Sequence, residues 1–189
     1  MSETLFGDVV PDERAPEPVR LTERDMLARL ATRYGRTYAN GAHEVLRYVG
    51  ARHVRFGPLW PKAIADYLAL DTWGNYGPEH MRHPLLGFEV KVSRSDYLSE
   101  IKNLGKSEPF REVCSEWFMV VSDKAIVRDD LPDGWGLLVA SGSGLRCARP
   151  SVRNPDPKPM PRGLLAGMLR AVATQHREAA VAEEEEADV

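Results

Sequence analysis

The chain has 189 residues, of which 43% are hydrophobic and 28% are charged, and its formal net charge is −3. These values are ordinary for one globular domain with a sizeable core, and they exclude a low-complexity chain. No apolar run is long enough to span a bilayer, and the first residues lack a basic-then-apolar signal pattern. We therefore expect a cytoplasmic protein with no membrane partner. Cys114 and Cys147 lack the spacing of a metal site and are interpreted as reduced core thiols.

The charge is unevenly distributed along the chain. Residues 178–189 contain six acids and neither Lys nor Arg. The rest of the chain holds 25 basic and 22 acidic residues, a balance of +3. The body of the protein is therefore mildly basic, which permits binding to phosphate groups without requiring it.

The first half of the chain predicts an arm, two helices and two strands. Residues 1–20 are rich in Pro, Glu and Asp and predict a flexible N-terminal arm. A capping box at 22–25 begins the first helix of a domain that we assign to 21–150. A second helix is predicted over 42–49. Strands are then predicted at 52–56 and 63–70, the second of them rich in apolar residues.

The second half predicts a mixed arrangement of helices and strands. After a turn-rich loop at 72–84, the pattern predicts a strand at 86–92, helices beginning at Ser93 and Ser107, and strands at 117–121, 134–140 and 145–148. A Pro-rich connection at 151–161, a helix at 162–178 and an acidic disordered tail at 179–189 follow. This order predicts an α/β sandwich around a mixed sheet.

One strand carries two opposite charges. Glu89 and Lys91 project from the same face because side chains in a strand alternate, while Phe88 and Val90 cover the other face. Asp66 is a carboxylate on the preceding strand. Charges on such apolar strands must be paired, coordinate a ligand or take part in chemistry, so the alternatives are a structural ion pair and a catalytic site.

The catalytic alternative is metal-dependent phosphodiester cleavage. Asp66, Glu89 and the Val90 carbonyl are hard oxygen ligands of the kind that Mg²⁺ or Mn²⁺ prefers. Such a metal activates water and neutralises the anionic transition state. Lys91 would orient the attacking water or stabilise the developing charge.

These residues resemble the PD-(D/E)XK nuclease superfamily, and within it the MmcB-like DNA-repair group of bacteria and phages. The resemblance runs from about residue 63 to 149 and is carried by Asp66 and by the segments 87–97, 106–111, 117–121 and 134–138. It implies a restriction-endonuclease-like αβββαβ sandwich with a central mixed sheet flanked by helices, and Asp66, Glu89 and Lys91 as catalytic residues. Ala65 stands where the family name has Pro. Asp71 is a second candidate for the acid on this strand. It lies five positions after Asp66, and because side chains alternate along a strand it projects from the opposite face, so Asp66 is preferred.

Several other side chains have both a functional and a structural interpretation. Glu44, on the predicted second helix, is either a further metal-site acid or a solvated residue. Trp60, Trp73 and Tyr76 flank the site and suit stacking on unpaired bases, although a core role fits Trp60 better. His80 and His83 share a loop but lack the third ligand of a zinc site. A phosphate track is predicted from five basic residues, Lys62, Arg94, Lys102, Lys106 and Arg111.

The sequence therefore predicts a Mg²⁺- or Mn²⁺-dependent deoxyribonuclease acting in DNA repair, recombination or phage DNA metabolism. One alternative is a non-catalytic nucleic-acid-binding module on a nuclease-like scaffold. Another is an interaction protein whose acidic tail contacts a protein partner. A homodimer and a single-stranded or branched DNA substrate are both compatible with the sequence.

Overall fold

The computed structural model describes residues 20–40, 43–57, 63–74 and 82–187. The described elements in chain order are α1 (Glu23–Tyr34), β1 (Thr37–Asn40), β2 (His43–Leu46), β3 (Tyr48–Arg55), β4 (Ile64–Asp71), β5 (Leu85–Lys91), α2 (Arg94–Ile101), α3 (Glu108–Val113), β6 (Glu116–Val121), β7 (Gly136–Ser141), β8 (Gly144–Arg149) and α4 (Arg162–Ala187). Predictions that concern 1–19, Trp60, Lys62, Tyr76 and His80 lie outside the described residues.

Six strands form one mixed sheet in the order β3-β4-β5-β6-β7-β8, and β1 pairs with β2 in a separate hairpin. The pairs β3–β4, β4–β5 and β7–β8 are antiparallel, whereas β5–β6 and β6–β7 are parallel. A parallel pair needs a crossover connection, and α2 and α3 supply it between β5 and β6. The predicted α/β class, with a central mixed sheet flanked by helices, is confirmed.

Two apolar clusters cover the two faces of the sheet. Helix α1 begins at a capping box between Thr22 and Asp25 and packs Met26 and Leu30 on one face, beside Phe88. Helices α2, α3 and α4 cover the other face, and their fully buried side chains there are Tyr97, Phe110 and Leu164. Because side chains alternate along a strand, Glu89 and Lys91 lie on the α2 side of β5.

Two predicted elements are wrong. The predicted helix at 42–49 is wrong over its described residues, since His43–Leu46 form β2 and residues 48–49 begin β3, which pairs with β4. The helix-like spacing of Val45, Leu46 and Val49 is overridden by strand pairing, because Val45 and Leu46 pair with β1 and Val49 pairs with Leu70 of β4.

The second wrong element is the disordered tail, since α4 continues through 179–187 to Ala187. This stretch is composed almost entirely of Ala and Glu, which are strong helix formers, so it extends the helix without packing against a partner. A smaller correction concerns Cys147, which is exposed on β8, while Cys114 is buried as expected. Among the described residues, no helix combines the length and the apolar composition that crossing a membrane requires.

Candidate active site

The pairing of β4 with β5 brings Asp66 next to Glu89. Tyr67 pairs with Phe88, so the following register position sets Asp66 against Glu89. The backbone hydrogen bonds between the two strands end there. Instead of a backbone carbonyl of β4, the Asp66 carboxylate accepts the Val90 backbone N–H at 2.7 Å. The fold therefore holds Asp66 against the Glu-x-Lys segment, as the sequence predicted from two separate strands.

Lys91 lies between two carboxylates. Its Nζ atom is 2.5 Å from Glu89 Oε1 and 3.5 Å from Glu100 Oε2 on α2. The three side chains are only 15%, 8% and 10% exposed, in the order Lys91, Glu89, Glu100. Sequence reasoning missed Glu100, although its position nine residues after Lys91 on the adjoining helix was available as a signal.

The pKa values of the two central carboxyls, Asp66 and Glu89, are both raised. Burial raises the pKa of Glu89 well above its usual range; nearby Asp66 adds to this rise and Lys91 opposes it. Burial also raises the pKa of Asp66, against the lowering effects of Lys91 and of the Val90 N–H. Burial by itself would lower the pKa of Lys91, but Glu89, Asp66 and Glu100 together raise it above its usual range. Lys91 therefore stays protonated. A second cation bound nearby would lower the pKa of Asp66 and Glu89 and so favour their ionised forms.

Asp66 also belongs to a second cluster that the sequence did not reveal. A side-chain oxygen of Glu23, a ring nitrogen of His53 and a carboxylate oxygen of Asp66 all lie within 4.8 Å of one another. Glu23 is the first residue of α1. His53 faces Asp66 because its neighbours on β3 pair with the neighbours of Asp66, and it adopts a left-handed backbone with φ of 51°. A non-glycine residue in that conformation is uncommon and marks a locally constrained position.

Other acids proposed from the sequence lie elsewhere. Glu44 is on β2 and exposed, not on a helix, and it is not part of the Asp66 cluster. Asp71 is buried and accepts a 2.9 Å hydrogen bond from Arg47 Nη2, which makes it a structural ion pair. Val90 contacts Asp66 through its N–H, and the role of its carbonyl as a metal ligand stays a prediction.

The predicted phosphate track is not a single surface. Arg94 is bound by Asp130 at 2.5 Å and also donates to the Ile126 carbonyl, so we withdraw it from the track. Arg111 stacks over the Trp135 ring, at the opposite end of the sheet, and is withdrawn as well. Lys102 and Lys106 are exposed near the end of α2 and remain compatible with the prediction.

A basic groove adjoins the site instead. It has a volume of about 460 Å³ and lies between the edge strand β3 and α4. Four basic side chains and one acid line it: Arg52, His53, Arg55, Arg170 and Glu178. Because His53 lines the groove and also contacts the Asp66 cluster, the groove opens directly beside the candidate site.

Helix α4 is held against the edge of the sheet by an amide side chain. Gln175 Oε1 accepts the backbone N–H of Arg52 at 2.7 Å, and Gln175 Nε2 donates to the Gly50 carbonyl at 3.2 Å. The side chain thereby occupies the hydrogen-bonding groups that an edge strand leaves open. Glu178, one turn further, lies 3.4 Å from Arg52 at the rim of the groove.

No protein-family model matches this chain, and no curated protein matches it. Among solved structures, the chain is similar to the SPO1766 protein of unknown function from Silicibacter pomeroyi, with 21% sequence identity and a TM-score of 0.49. The match covers 74% of this chain and 82% of that chain. Function is therefore inferred from the residues of the site.

Proposed function

We propose that this protein is a Mg²⁺- or Mn²⁺-dependent deoxyribonuclease of the PD-(D/E)XK type. The observation that carries the proposal is the convergence of Asp66, Glu89 and Lys91 at the point where β4 leaves β5. Buried carboxylates next to a lysine are costly to maintain in a fold unless they serve a ligand or a reaction.

The donor set fits a hard divalent cation. Asp66 and Glu23 offer carboxylate oxygens that lie within 4.8 Å of each other, and carboxylate oxygens suit Mg²⁺ and Mn²⁺. Glu89, opposite Asp66 on the neighbouring strand, would add a further carboxylate. His53 adds a nitrogen donor, and imidazole suits transition metals better than it suits Mg²⁺, so Mn²⁺ is the preferred cofactor of the two. The bound metal would supply activation of water and neutralisation of charge on the phosphate.

The chain's own residues have separate tasks in this mechanism. Asp66 is fixed by the Val90 N–H, so it holds its position before any ligand arrives. Lys91 stays protonated under the influence of Glu89 and Glu100, and its ammonium stabilises negative charge that develops on the phosphate or orients the attacking water. Because α2 covers Glu89 and Lys91, bulk water is largely excluded from them.

The basic groove between β3 and α4 supplies the phosphate-binding surface for this function. Arg55 and Arg170 line it and would bind phosphate oxygens through paired donors, whereas the guanidinium of Arg52 is engaged by Gln175 and Glu178. A backbone lying in the groove would pass His53 and reach Asp66. The proposal includes a cytoplasmic location, in the bacterial host if the protein is phage-encoded, and a role in repair, recombination or phage DNA metabolism.

A second candidate is a non-catalytic DNA-binding module on the same scaffold. The specific observation in its favour is the short ion pair between Lys91 and Glu89, since a structural pair has the same form. In that case the groove would bind nucleic acid but the carboxylates would serve only to hold Lys91.

A cleavage assay separates the two candidates. Full-length protein is incubated with labelled single-stranded, double-stranded or branched DNA in Mn²⁺, Mg²⁺ or EDTA. The nuclease requires metal-dependent cutting that Asp66→Asn and Glu89→Gln abolish, whereas Asp129→Asn, at an exposed position, cuts like wild type. Binding of DNA with no cutting in either metal would instead select the scaffold.

A further inference from the structure

Helix α4 has a second, mostly apolar face that is turned away from the sheet. Leu164 and Met168 are buried against the sheet, whereas the side chains of Leu165 and Leu169 are 45% and 61% exposed. Positions 165, 169, 173, 176 and 180 recur at helical spacing, so their side chains lie on one side of the helix. We call this side the outer stripe, and its exposed members are Leu165, Leu169, Ala173, His176 and Ala180.

Helix α4 also carries its charges in two separate halves. Residues 162–177 contain three arginines and no acid, whereas residues 178–187 contain five glutamates and no base. The first turn of α4 has no acidic residue and its last turn has no basic residue, which is the reverse of α1 with its early acids and late Arg33. A helix is partly positive at its start and partly negative at its end, so the charges at both ends of α4 oppose its own dipole.

The last part of α4 extends beyond the sheet. Among the described residues, Gln175 and Glu178 make the last hydrogen bonds from this helix to β3, and residues 179–187 are all exposed. Glu183 and Glu186 are three positions apart, so their like charges also repel each other along the helix. The outer stripe and the acidic end therefore form one continuous surface that is open to a second molecule and that positive charge would stabilise.

We propose that α4 pairs antiparallel with α4 of a second copy of this chain, with outer stripe against outer stripe. Two-fold symmetry lets one face serve both copies. The acidic end of each helix then lies beside the arginine-bearing half of the other, and each helix end meets the opposite end of the other dipole. This arrangement removes the unfavourable charge pattern that α4 has by itself.

One register satisfies both the charges and the apolar residues of the two helices. When Arg162 of one copy lies beside Glu183 of the other, Leu165 lies opposite Ala180, so a large side chain meets a small one. The basic groove stays open, because the residues of α4 that line it, such as Thr174, lie on another side of the helix. The acidic end repels nucleic acid, so DNA does not fit this surface. The inference does not depend on the proposed nuclease activity.

Sedimentation equilibrium of the full-length protein tests the pairing. We expect conversion of monomer to dimer over about 1–500 µM, because contact along one helix is a small interface. Leu169→Ser should raise the dissociation constant about tenfold or more, since each dimer buries this side chain twice. Val181→Ser is the matched control, because Val181 is 49% exposed on the same helix but off the outer stripe, and it should pair like wild type. A monomer at every concentration, or equal dissociation constants for the two variants, would overturn the proposal.

An exchange of charge between Arg162 and Glu183 tests the antiparallel direction. Arg162→Glu and Glu183→Arg each place like charges side by side in the dimer, so each should raise the dissociation constant about threefold or more at low salt. Both changes improve the charge pattern of α4 relative to its own dipole, so unfolding of the helix cannot explain weaker pairing. The double variant should regain wild-type affinity. Single variants without effect, or a double variant that stays weak, would overturn the antiparallel arrangement.

Discussion

The Asp66 carboxylate accepts the Val90 N–H at 2.7 Å, in the place where a backbone carbonyl of β4 would otherwise continue the ladder. This contact ties the acid of one strand to the Glu-x-Lys segment of the next. It also means that the geometry of the site is set by strand pairing and not by a mobile loop. Asp66 and Glu89 are therefore held side by side before any ligand binds.

Metal affinity should rise with pH. The pKa of Glu89 and that of Asp66 are both raised, mainly by burial, so protons compete with the metal for these oxygens. If one proton is displaced, apparent affinity for Mn²⁺ should increase up to about tenfold per pH unit until the carboxyls are ionised. Calorimetric titration at pH 6, 7 and 8 measures this. Asp66→Ala, Glu89→Ala and Glu23→Gln should each weaken binding, and unchanged binding in the first two would remove the site assignment.

Glu89→Gln should stabilise the metal-free protein above pH 5, because Asp66 and Glu100 still balance the charge of Lys91. A carboxyl whose pKa is raised in the folded state binds its proton more tightly there, so wild type loses stability as pH rises from about 4.5 towards the folded pKa. The variant has a neutral amide and does not lose this stability. In wild type the free energy of unfolding falls by about 1.4 kcal/mol for each unit between the folded and the unfolded pKa of Glu89. Thermal melts between pH 4 and 8 in EDTA should show an advantage that grows with pH. Glu184→Gln, on exposed helix, should show none.

Lys91→Ala distinguishes a catalytic lysine from a structural one. A catalytic ammonium acts mainly in the transition state, so cleavage should fall on the order of 10²–10³-fold while affinity for Mn²⁺ and DNA changes little. A structural partner of buried Glu89 would instead leave an uncompensated carboxylate, with a loss of roughly 3–5 kcal/mol at high pH. Melts and rates on the same variant, beside the exposed control Lys124→Ala, decide between them. A variant that melts normally and cuts at the wild-type rate would exclude Lys91 from the mechanism.

The acidic end of α4 should hinder nucleic-acid binding. Removing residues 178–189 takes away six negative charges, among them Glu178 at the basic groove, and DNA association should become faster or tighter at low salt. At high salt the two forms should converge because exposed charges are screened. Changing Glu183–Glu186 to Gln is a matched variant that keeps helix-forming residues, and it separates charge from loss of the helix. Equal affinities at low salt in all forms would show that this segment has no electrostatic effect.

Gly167→Ala should loosen α4 from the sheet. A Cβ at Gly167 would lie 2.2 Å from the Arg55 carbonyl oxygen, so the helix must shift away, at a cost of about 1–3 kcal/mol. Gly163 is a close control, because its Cβ would lie 3.4 Å from the Phe56 carbonyl and Ala favours helix by about 1 kcal/mol. Denaturant melts measure both. DNA affinity should fall in Gly167→Ala alone, since Arg170 moves with the helix, and identical melts for the two variants would contradict this account.

The sequence by itself determined the local features of this protein. The two-residue period places Glu89 and Lys91 on one face of a strand, and the apolar run before Asp66 identifies its strand. The capping box at Thr22 locates the start of α1. These features depend on neighbouring residues, so pattern and propensity are enough to find them.

Only the tertiary structure decided which distant side chains meet. Strand pairing placed residues 43–46 in β2 and residues 48–49 in β3, and the pairing of β3 with β4 brought His53 to Asp66. Packing of α1 on the sheet brought Glu23 close to Asp66. Arg94, predicted to bind phosphate, forms an ion pair with Asp130. Such contacts join residues 13 to 43 positions apart, and their energy comes from packing and desolvation of the assembled sheet, which no local pattern encodes.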